Sequence, residues 1–294
     1  MKIFTIDVGG SSIKNGIFID GKITEFEKIP TPKTLDTFYD SLEQMVSNQG
    51  SLDGVAISSP GAVNKKSGVI EGISAIPYIH DFPILDELSR RLKLPVSIEN
   101  DANCAALCEA TFGAAKDKER VVLLVLGSGV GGSILNNGKV DHGSHLLGGE
   151  FGLMILNEKF ETFSQLGTAV NVGKRYTLKK NDGIEYSGQT VFTLADQGDS
   201  LAQEEKRTFI NALAQGIYNI QYSLDPQIIL LGGGVSQSNF LLPEINQALE
   251  NIYYKVQTPA HKPKIGICQF KNQANLYGAA VDFLQTYSIN SKNY

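Results

Sequence analysis

Hydrophobic and polar positions along the chain predict strands that alternate with helices. Short apolar runs rich in valine and isoleucine predict strands, whereas apolar residues spaced three and four apart predict amphipathic helices. The strands are predicted over residues 3–6, 17–19, 23–29, 54–59, 96–98, 121–126 and 228–231. The helices are predicted from 34, over 83–92, 101–112, 163–180, 201–224 and 242–254, and again from 275. This alternation is typical of an α/β fold with a mainly parallel sheet.

The strand at 96–98 is followed by three polar residues, Glu99, Asn100 and Asp101, and then by a helix of small residues. A short polar side chain at this point caps the helix by accepting hydrogen bonds from its first free N–H groups. A carboxylate at the carboxyl end of a strand also lies where α/β sheets bind ligands. The spacing alone leaves open whether Asp101 is a helix cap or a functional group.

The first predicted hairpin recurs later in the chain at a shift of 117 residues. This shift places Gly10 on Gly127, and it places the Asp-Gly turn at 20–21 on the Asn-Gly turn at 137–138, without a gap. Repetition of the same turn chemistry at a fixed shift indicates an internal duplication.

The glycines and serines of the two hairpins leave backbone N–H groups and hydroxyls bare, which suits phosphate oxygens. Neither hairpin has the spacing of a Walker A loop or of a dinucleotide-binding fingerprint. A glycine-rich hairpin by itself is equally consistent with a purely structural turn. We predict two domains, residues 1–115 and 116–274, each directing its hairpin toward the cleft between them.

The composition and net charge are evidence against a nucleic-acid-binding, membrane-spanning or secreted protein. The 294 residues are 42% hydrophobic and 19% charged, and the net charge of −5 favours neither nucleic acid nor an anionic membrane surface as a partner. No apolar run is long enough to cross a bilayer, and the first residues do not form a signal peptide, so we expect a cytoplasmic protein. The three cysteines do not form an even disulfide framework, and we expect Cys104 and Cys108 to be small buried residues.

Five segments, in the right order, resemble the motifs of the ROK family of repressors, open reading frames and kinases. Residues 7–14 are similar to its first phosphate motif, with serine where threonine is usual, and residues 127–132 to its second. Residues 99–103 resemble its catalytic motif, 149–152 its sugar-binding motif and 232–234 its adenosine loop. The resemblance covers essentially the whole chain. It implies an actin-like (hexokinase- and ribonuclease H-like) duplicated α/β fold with an interdomain cleft, whose final helix, at about 275–289, completes the first domain.

The resemblance implies a kinase that uses ATP and Mg²⁺. Asp101 is then the general base that removes the proton of the attacking sugar hydroxyl. The residues expected to bind sugar are Asn100, Glu150, Gly61, Glu161 and His145. Those expected to bind ATP and its phosphates are Asp7, Gly9, Gly10, Ser11, Lys14, Gly127, Ser128, Gly129, Gly131, Gly132, Gly232, Gly233 and Gly234. Asp7 is also expected to hold Mg²⁺ through water.

Three of these residues keep a structural alternative. Asp7 also suits a turn, and Glu161 also suits the exposed start of a helix. His145 also suits a place on the surface or in the core.

Two departures from the family pattern bear on metal and substrate. Leu153 stands where the family has a zinc-binding histidine, and residues 157–167 contain no cysteine, so we expect no structural zinc. Ala75 stands where glucokinases of the family carry a sugar-binding asparagine, and Ile79 where they carry tryptophan. We expect His80 or His145 to replace the asparagine as a sugar ligand, with a surface or core position as the alternative for each. The zinc-less pattern resembles the family's β-glucoside kinases.

The expected function is transfer of the γ-phosphate of ATP to the 6-hydroxyl of glucose, or of the non-reducing glucose of a β-glucoside. The first alternative is an N-acylhexosamine kinase, which differs in pocket shape. The second is a sugar-sensing regulator of the same family, although the first motif begins at Asp7 and leaves no room for a preceding DNA-binding region. The expected partners are a sugar and ATP, with no nucleic acid or membrane, and the family implies a homodimer.

Overall fold

The computed structural model describes residues 1–257 and 262–288. Contacts divide the chain into two compact units. The first unit contains Met1–Lys116, Gly138–Gly148 and the chain from Asn272, and the second contains Asp117–Asn137 and Gly149–Lys271. The domain boundaries predicted from the sequence stay a prediction, and residue 289, the predicted end of the last helix, lies outside the described residues.

The first unit is built on a five-stranded sheet with one small hairpin beside it. Its strands are β1 (Lys2–Val8), β2 (Ser12–Ile19), β3 (Lys22–Pro30), β4 (Gly54–Ser59), the hairpin strands β5 (Ala62–Asn64) and β6 (Val69–Glu71), and β7 (Val96–Asn100). The sheet order is β3-β2-β1-β4-β7, antiparallel from β3 to β1 and parallel from β1 to β7. Its helices are α1 (Leu35–Ser47), α2 (Ile84–Leu92) and α3 (Asp101–Thr111).

The second unit repeats this plan. Its sheet contains β8 (Arg120–Leu126), β9 (Val130–Asn136), β10 (Lys139–Val140), β11 (Ile228–Gly232) and β12 (Ile265–Ile267), in the order β10-β9-β8-β11-β12. Its helices are α4 (Phe163–Leu166), α5 (Ala169–Lys180), α6 (Gly188–Asp196), α7 (Ser200–Leu224) and α8 (Leu241–Val256). The apolar face predicted for α7 is buried at Phe209, Leu213, Ile217 and Ile220.

The two sheets bear out the internal repeat. Both begin with an antiparallel pair and continue with two parallel strands. The turn after β2 has positive φ at Asp20 (49°) and Gly21 (78°), and the turn after β9 has positive φ at Asn137 (51°) and Gly138 (72°). Positive φ at both central residues defines the type I′ hairpin turn that Asp-Gly and Asn-Gly favour. The repeated turn sequence therefore forms the same turn twice.

The last helix, α9 (Ala274–Ser288), belongs to the first unit and packs closely on α3. A β-carbon at Gly278 would lie only 1.7 Å from the carbonyl oxygen of Cys104, so the two helix backbones touch at this point. The small residues at the start of α9 therefore allow the close packing that their size predicts. Cys104 and Cys108 are buried, as expected, and neither is in a disulfide.

The single helix predicted over 163–180 is wrong, because α4 ends at Leu166 and α5 begins at Ala169. Thr168 interrupts the helix as the N-cap of α5, where its side chain accepts from the N–H of Asn171. The polar segment that follows also contains α6, capped in the same way by Ser187. None of the described helices is both long and apolar enough to span a bilayer.

Candidate functional site

The turn between β7 and α3 shows which residue caps the helix. Asn100 is the N-cap of α3, and its Oδ1 accepts from the N–H groups of Ala102 and Asn103 at 2.9 and 3.2 Å. Its Nδ2 donates to the carbonyl oxygen of Gly61 at 3.0 Å. Asp101 is the first residue of the helix, and its Oδ1 accepts from the N–H of Ala102 at 2.8 Å. The capping role therefore falls to Asn100 and leaves the Asp101 carboxylate available for chemistry.

The surroundings of Asp101 favour a carboxyl group that holds a proton more readily than usual. Burial raises the pKa of Asp101, the N–H of Ala102 lowers it, and the negative charge of Asp7 raises it further. The net direction is upward from the ordinary value of 3.8. A raised pKa is the direction required of a general base that works near neutral pH.

Asp7, at the end of β1, is held by three side chains. Its Oδ1 accepts from Asn275 Nδ2 at 2.9 Å and from Ser58 Oγ at 3.3 Å, and its Oδ2 pairs with Lys14 Nζ at 3.3 Å. Neither Ser58 nor Asn275 was predicted from the sequence as part of the site. Ser58 is a polar residue near the end of an otherwise apolar strand, and this position could have indicated a place in the site. No local pattern indicated Asn275.

The donor atoms around Asp7 fit Mg²⁺. Carboxylate and hydroxyl oxygens are the ligands that Mg²⁺ binds, commonly through its retained waters. The cation that now faces Oδ2 is the Lys14 ammonium, whose side chain is 38% exposed and flexible.

The first glycine–serine turn uses part of its backbone for its own structure. The N–H of Gly9 donates to the carbonyl oxygen of Ser12 at 3.0 Å, and the carbonyl oxygen of Gly9 accepts from Thr31 Oγ1 at 2.5 Å. Gly10 and Ser11 are exposed. Gly10 and Ser11 are therefore the residues of this turn that are open to solvent, whereas Gly9 shapes the turn.

The loop before α2 approaches both the first turn and the Asn100 cap. A β-carbon at Gly10 would lie 2.7 Å from Cβ of Ala75, and one at Gly61 would lie 2.7 Å from Cε1 of His80. Gly61 has a φ of +96°, which suits glycine. His80 is 8% exposed. Its Nε2 lies 2.7 Å from Ser74 Oγ, and its buried Nδ1 has no hydrogen-bond partner among the described residues.

His145, the other histidine considered as a substitute for the asparagine, is exposed and lies between β10 and Glu150 in sequence. Its role as a sugar ligand stays a prediction. His80, by contrast, has an available ring nitrogen beside Gly61, whose carbonyl oxygen holds Asn100.

The second glycine turn has the open backbone that a phosphate needs. The N–H of Gly127 donates to the carbonyl oxygen of Gly129 at 3.0 Å, and the N–H of Val130 donates to Ser164 Oγ at 3.0 Å. Gly127 and Ser128 are exposed. The N–H of Gly127 thus shapes this turn, as that of Gly9 shapes the first, and the N–H groups of Ser128 and Gly129 take no part in these two bonds.

Glu150 owes its position to two glycines. A β-carbon at Gly132 would lie 2.5 Å from the carbonyl oxygen of Gly149, and one at Gly149 would lie 2.7 Å from the carbonyl oxygen of Gly132. Gly149 also has a φ of +89°. This contact places the exposed Glu150 at the start of a short 3₁₀ turn, Phe151–Leu153. The close contact between Gly132 and Gly149 thus explains why position 132 is a glycine.

The third glycine segment follows β11. A β-carbon at Gly233 would lie 2.2 Å from the carbonyl oxygen of Leu126, whereas one at Gly234 would meet nothing within 4 Å. The carbonyl oxygen of Gly233 accepts from Ser236 Oγ at 2.7 Å. Gly233 and Gly234 are exposed and Gly232 is buried, so the later two glycines offer the open backbone surface.

Hydrogen bonds close the loop around Glu161. Asn157 Oδ1 accepts from the N–H groups of Lys159 and Glu161 at 3.0 and 3.2 Å, and Asn157 Nδ2 donates to Glu161 Oε2 at 2.7 Å. Glu161 directly precedes Thr162, the N-cap of α4, and therefore lies at the start of a helix, as in the structural alternative given for it. Within the described residues, no group of three or more histidine, cysteine, aspartate and glutamate side chains is arranged to hold a metal ion.

Comparison with known proteins supports one family. The sequence model of the ROK family matches residues 3–286. The β-glucoside kinase of Listeria monocytogenes is 31% identical, over 97% of this chain and 98% of that protein. The N-acetyl-D-glucosamine kinase of Haemophilus influenzae is also 31% identical, over 96% of this chain and 99% of that protein.

A solved structure agrees with these sequence matches. The crystal structure of a ROK family protein from Streptococcus pneumoniae, in complex with sucrose, has a TM-score of 0.89 to this chain at 38% identity, and the match covers 100% of both chains. This confirms the actin-like α/β fold that the resemblance implies. The chain belongs to the ROK family.

Proposed function

We propose that the chain is an ATP- and Mg²⁺-dependent sugar kinase that phosphorylates the 6-hydroxyl of glucose or of the non-reducing glucose of a β-glucoside. As a ROK family member with sugar kinases as its relatives, it is a phosphotransferase with an alcohol group as acceptor. The observation that carries the proposal concerns the Asp101 carboxylate. Asn100, and not Asp101, is the cap of α3. Burial and the negative charge of Asp7 raise the pKa of Asp101.

Asp101 accepts the proton of the sugar hydroxyl as that oxygen attacks the γ-phosphorus. The bond from the γ-phosphorus to the bridging oxygen of ATP breaks, and ADP leaves. Asn100, Gly61, Glu150, Glu161 and His145 bind the sugar. The amide of Asn100 is fixed in direction for this purpose, because its oxygen caps α3 and its nitrogen donates to Gly61. Polar contacts of this kind hold the acceptor hydroxyl in line with the phosphorus.

The nucleotide is bound by the three glycine segments and by Lys14. Gly10, Ser11, Gly127 and Ser128 present exposed backbone and hydroxyl groups that suit phosphate oxygens. Asp7 holds Mg²⁺ through water, and the ion, when bound, offsets the charge that develops on the phosphate oxygens. We also propose that the enzyme is a homodimer without structural zinc.

The identity of the sugar is the finer part of the proposal. The β-glucoside kinase of Listeria monocytogenes supports a β-glucoside, and the replacement of asparagine by the smaller Ala75 is compatible with a wider pocket. The N-acetyl-D-glucosamine kinase of Haemophilus influenzae supports the N-acylhexosamine alternative. The sucrose in the Streptococcus pneumoniae structure makes an α-glucoside a useful further test compound.

The test is ATP consumption with glucose, cellobiose, gentiobiose, sucrose, N-acetylglucosamine and N-acetylmannosamine, with product mapping by NMR. We expect phosphorylation at the 6-hydroxyl of glucose or a β-glucoside. Asp101→Ala is expected to lower kcat by about 10³-fold while sugar binding, followed by calorimetry, is largely retained. Asp86→Asn removes an exposed carboxylate from α2 and serves as the control.

The outcomes separate the alternatives. Preferred turnover of the N-acetylated sugars would favour an N-acylhexosamine kinase. Sugar binding without turnover by the wild-type chain would favour the sugar-sensing regulator. Near-normal kcat in Asp101→Ala would overturn the assignment of Asp101 as the base.

A further inference from the structure

A buried carboxylate that the proposed chemistry does not use lies directly before the catalytic turn. The Glu99 side chain is 1% exposed. Its Oε1 accepts from the N–H of Asn100 at 2.8 Å and from Asn103 Nδ2 at 3.0 Å. Its Oε2 lies 2.9 Å from His142 Nε2 and 3.2 Å from Lys65 Nζ. An ionised carboxylate only accepts hydrogen bonds, so His142 is the donor, and four donors surround Glu99.

These donors come from separate parts of the first unit. Lys65 lies in the turn between β5 and β6, and His142 lies in the segment that follows β10. Lys65 also pairs with Asp282 of α9 at 2.6 Å. Glu99 is therefore the point at which the catalytic turn, the small hairpin, the 138–148 segment and, through Lys65, the last helix are joined.

The neighbouring charges of this cluster shift the pKa values of its members. Burial by itself raises the pKa of Glu99, but the His142 hydrogen bond and the Lys65 charge outweigh it and hold the pKa below its usual range. The hydrogen bond to Glu99 raises the pKa of His142 in turn. The carboxyl groups of Glu99 and Asp282 thus lie beside the Lys65 ammonium, and His142 adds a second positive charge when it is protonated.

We infer that Glu99 and His142 are positioning residues, which hold the backbone of the Asn100–Asp101 turn in its productive orientation. Glu99 Oε1 binds the N–H of Asn100, the residue directly before Asp101, so a shift of this carboxylate shifts the base. His142 and Lys65 fix the other oxygen and prevent the carboxylate from rotating. Displacements of about 1 Å in such a support cost up to about 10²-fold in rate. The inference rests on the proposed role of Asp101.

This arrangement has a consequence for pH dependence. The groups that face His142 are Glu99, Lys65 and Asp282. When His142 loses its proton at high pH, it keeps one N–H but no longer carries a charge, so the bond to Glu99 weakens. Turnover should therefore decline on the alkaline side as the turn loosens. A neutral donor at position 142 should remove that decline.

The experiment compares kcat, sugar KM and melting temperature from pH 6 to 9.5 for the wild type, His142→Gln, His142→Ala and Glu99→Gln. His142→Gln keeps an N–H donor without charge, and we expect kcat about tenfold lower near pH 6.5 and no alkaline decline, with KM little changed. His142→Ala is expected to lower kcat further. Lys139→Gln removes a positive charge from an exposed position just before His142 and is the control.

The outcomes bear separately on the two proposals. Wild-type turnover establishes the kinase, whatever the variants do. Wild-type kcat and an unaltered alkaline limb in His142→Gln would overturn the positioning role, and so would a lower melting temperature with unchanged kcat in both His142 variants. Glu99→Gln adds support if it lowers kcat, but the His142 variants decide the question even where this variant does not fold.

Discussion

Asn275, in the first turn of the last helix, donates a hydrogen bond to Asp7, at the end of the first strand, across 268 positions of sequence. The Nδ2–Oδ1 distance is 2.9 Å. This bond holds one oxygen of the Asp7 carboxylate, and Lys14 pairs with the other. The carboxylate proposed to hold Mg²⁺ is therefore oriented by a side chain, Asn275, that no motif identified.

We expect Asn275→Ala to raise the KM for MgATP by about fivefold to tenfold, because Asp7 loses a hydrogen bond of about 1 kcal/mol that fixes its direction. The KM for sugar should change little. Initial rates at varied MgATP and fixed sugar measure this effect. Gln285→Ala is the matched control, since Gln285 lies in the same helix and donates to the carbonyl oxygen of Gly138 at 2.8 Å. Equal KM values for MgATP in Asn275→Ala and the wild type would refute the orienting role.

Protonation of Asp101 should cause the fall of kcat at low pH, which is the acid limb of the pH profile. A base must be ionised, so kcat should fall about tenfold per pH unit below its pKa. Burial and the Asp7 charge both raise that pKa above 3.8, which places the limb at higher pH than for an ordinary aspartate. Asp7→Asn removes the second cause, so the limb should move to lower pH. The pH profile of kcat at saturating MgATP measures the shift, and an unmoved limb in Asp7→Asn would contradict it.

His80 is one of the two histidines expected to replace the sugar-binding asparagine, whose place in the sequence Ala75 occupies. His80→Phe keeps the ring volume beside Gly61 but removes the unpartnered Nδ1. If Nδ1 binds a sugar hydroxyl, the KM for sugar should rise about tenfold with a smaller change in kcat. For the deoxy sugar that lacks this hydroxyl, the KM values of His80→Phe and of the wild type should then be equal.

Ser74→Ala is the control for His80, because it removes the partner of Nε2 and leaves Nδ1 in place. KM values measured with glucose and its 2-, 3- and 4-deoxy analogues give the comparison. A uniform rise in KM with every sugar would assign His80 to packing alone.

The loop around Glu161 is expected to keep its shape without metal. Asn157 makes three hydrogen bonds within it, so Asn157→Ala should lower the free energy of unfolding by about 1 kcal/mol. A chelator should leave the wild-type melting temperature unchanged. Lys159→Ala, which removes only an exposed side chain of the loop, is the control. One tightly held zinc per chain in elemental analysis would refute the expectation.

The His142–Glu99 pair should also appear in stability. A raised pKa in the folded state contributes stability that is complete below the unfolded pKa and is lost as pH rises through the folded value. His142 has an ordinary value of 6.5 and a raised folded pKa. The difference in the free energy of unfolding between the wild type and His142→Gln should therefore be largest below about pH 6.5 and should shrink above it. Urea unfolding at several pH values measures this difference, and a constant difference would contradict the pairing.

Local pattern was enough for much of the fold. Strand and helix positions follow from apolar spacing, and both type I′ turns follow from Asp-Gly and Asn-Gly, because these signals act over a few residues. The break between α4 and α5 was also local, in Gly167 and Thr168, but the apolar spacing on either side concealed it. Helix α6 was missed because its flanking segment is polar.

The sequence by itself determined the α/β order, the duplication, the position of Asp101 at a strand end and the family, since these depend on residue type and spacing. Only the tertiary structure decided which side chains meet. It assigned the cap to Asn100, brought Asn275 to Asp7 and His80 to Gly61, and surrounded Glu99 with Lys65 and His142. Such contacts join residues that are distant in the chain, and strand pairing and helix packing, not periodicity, determine them.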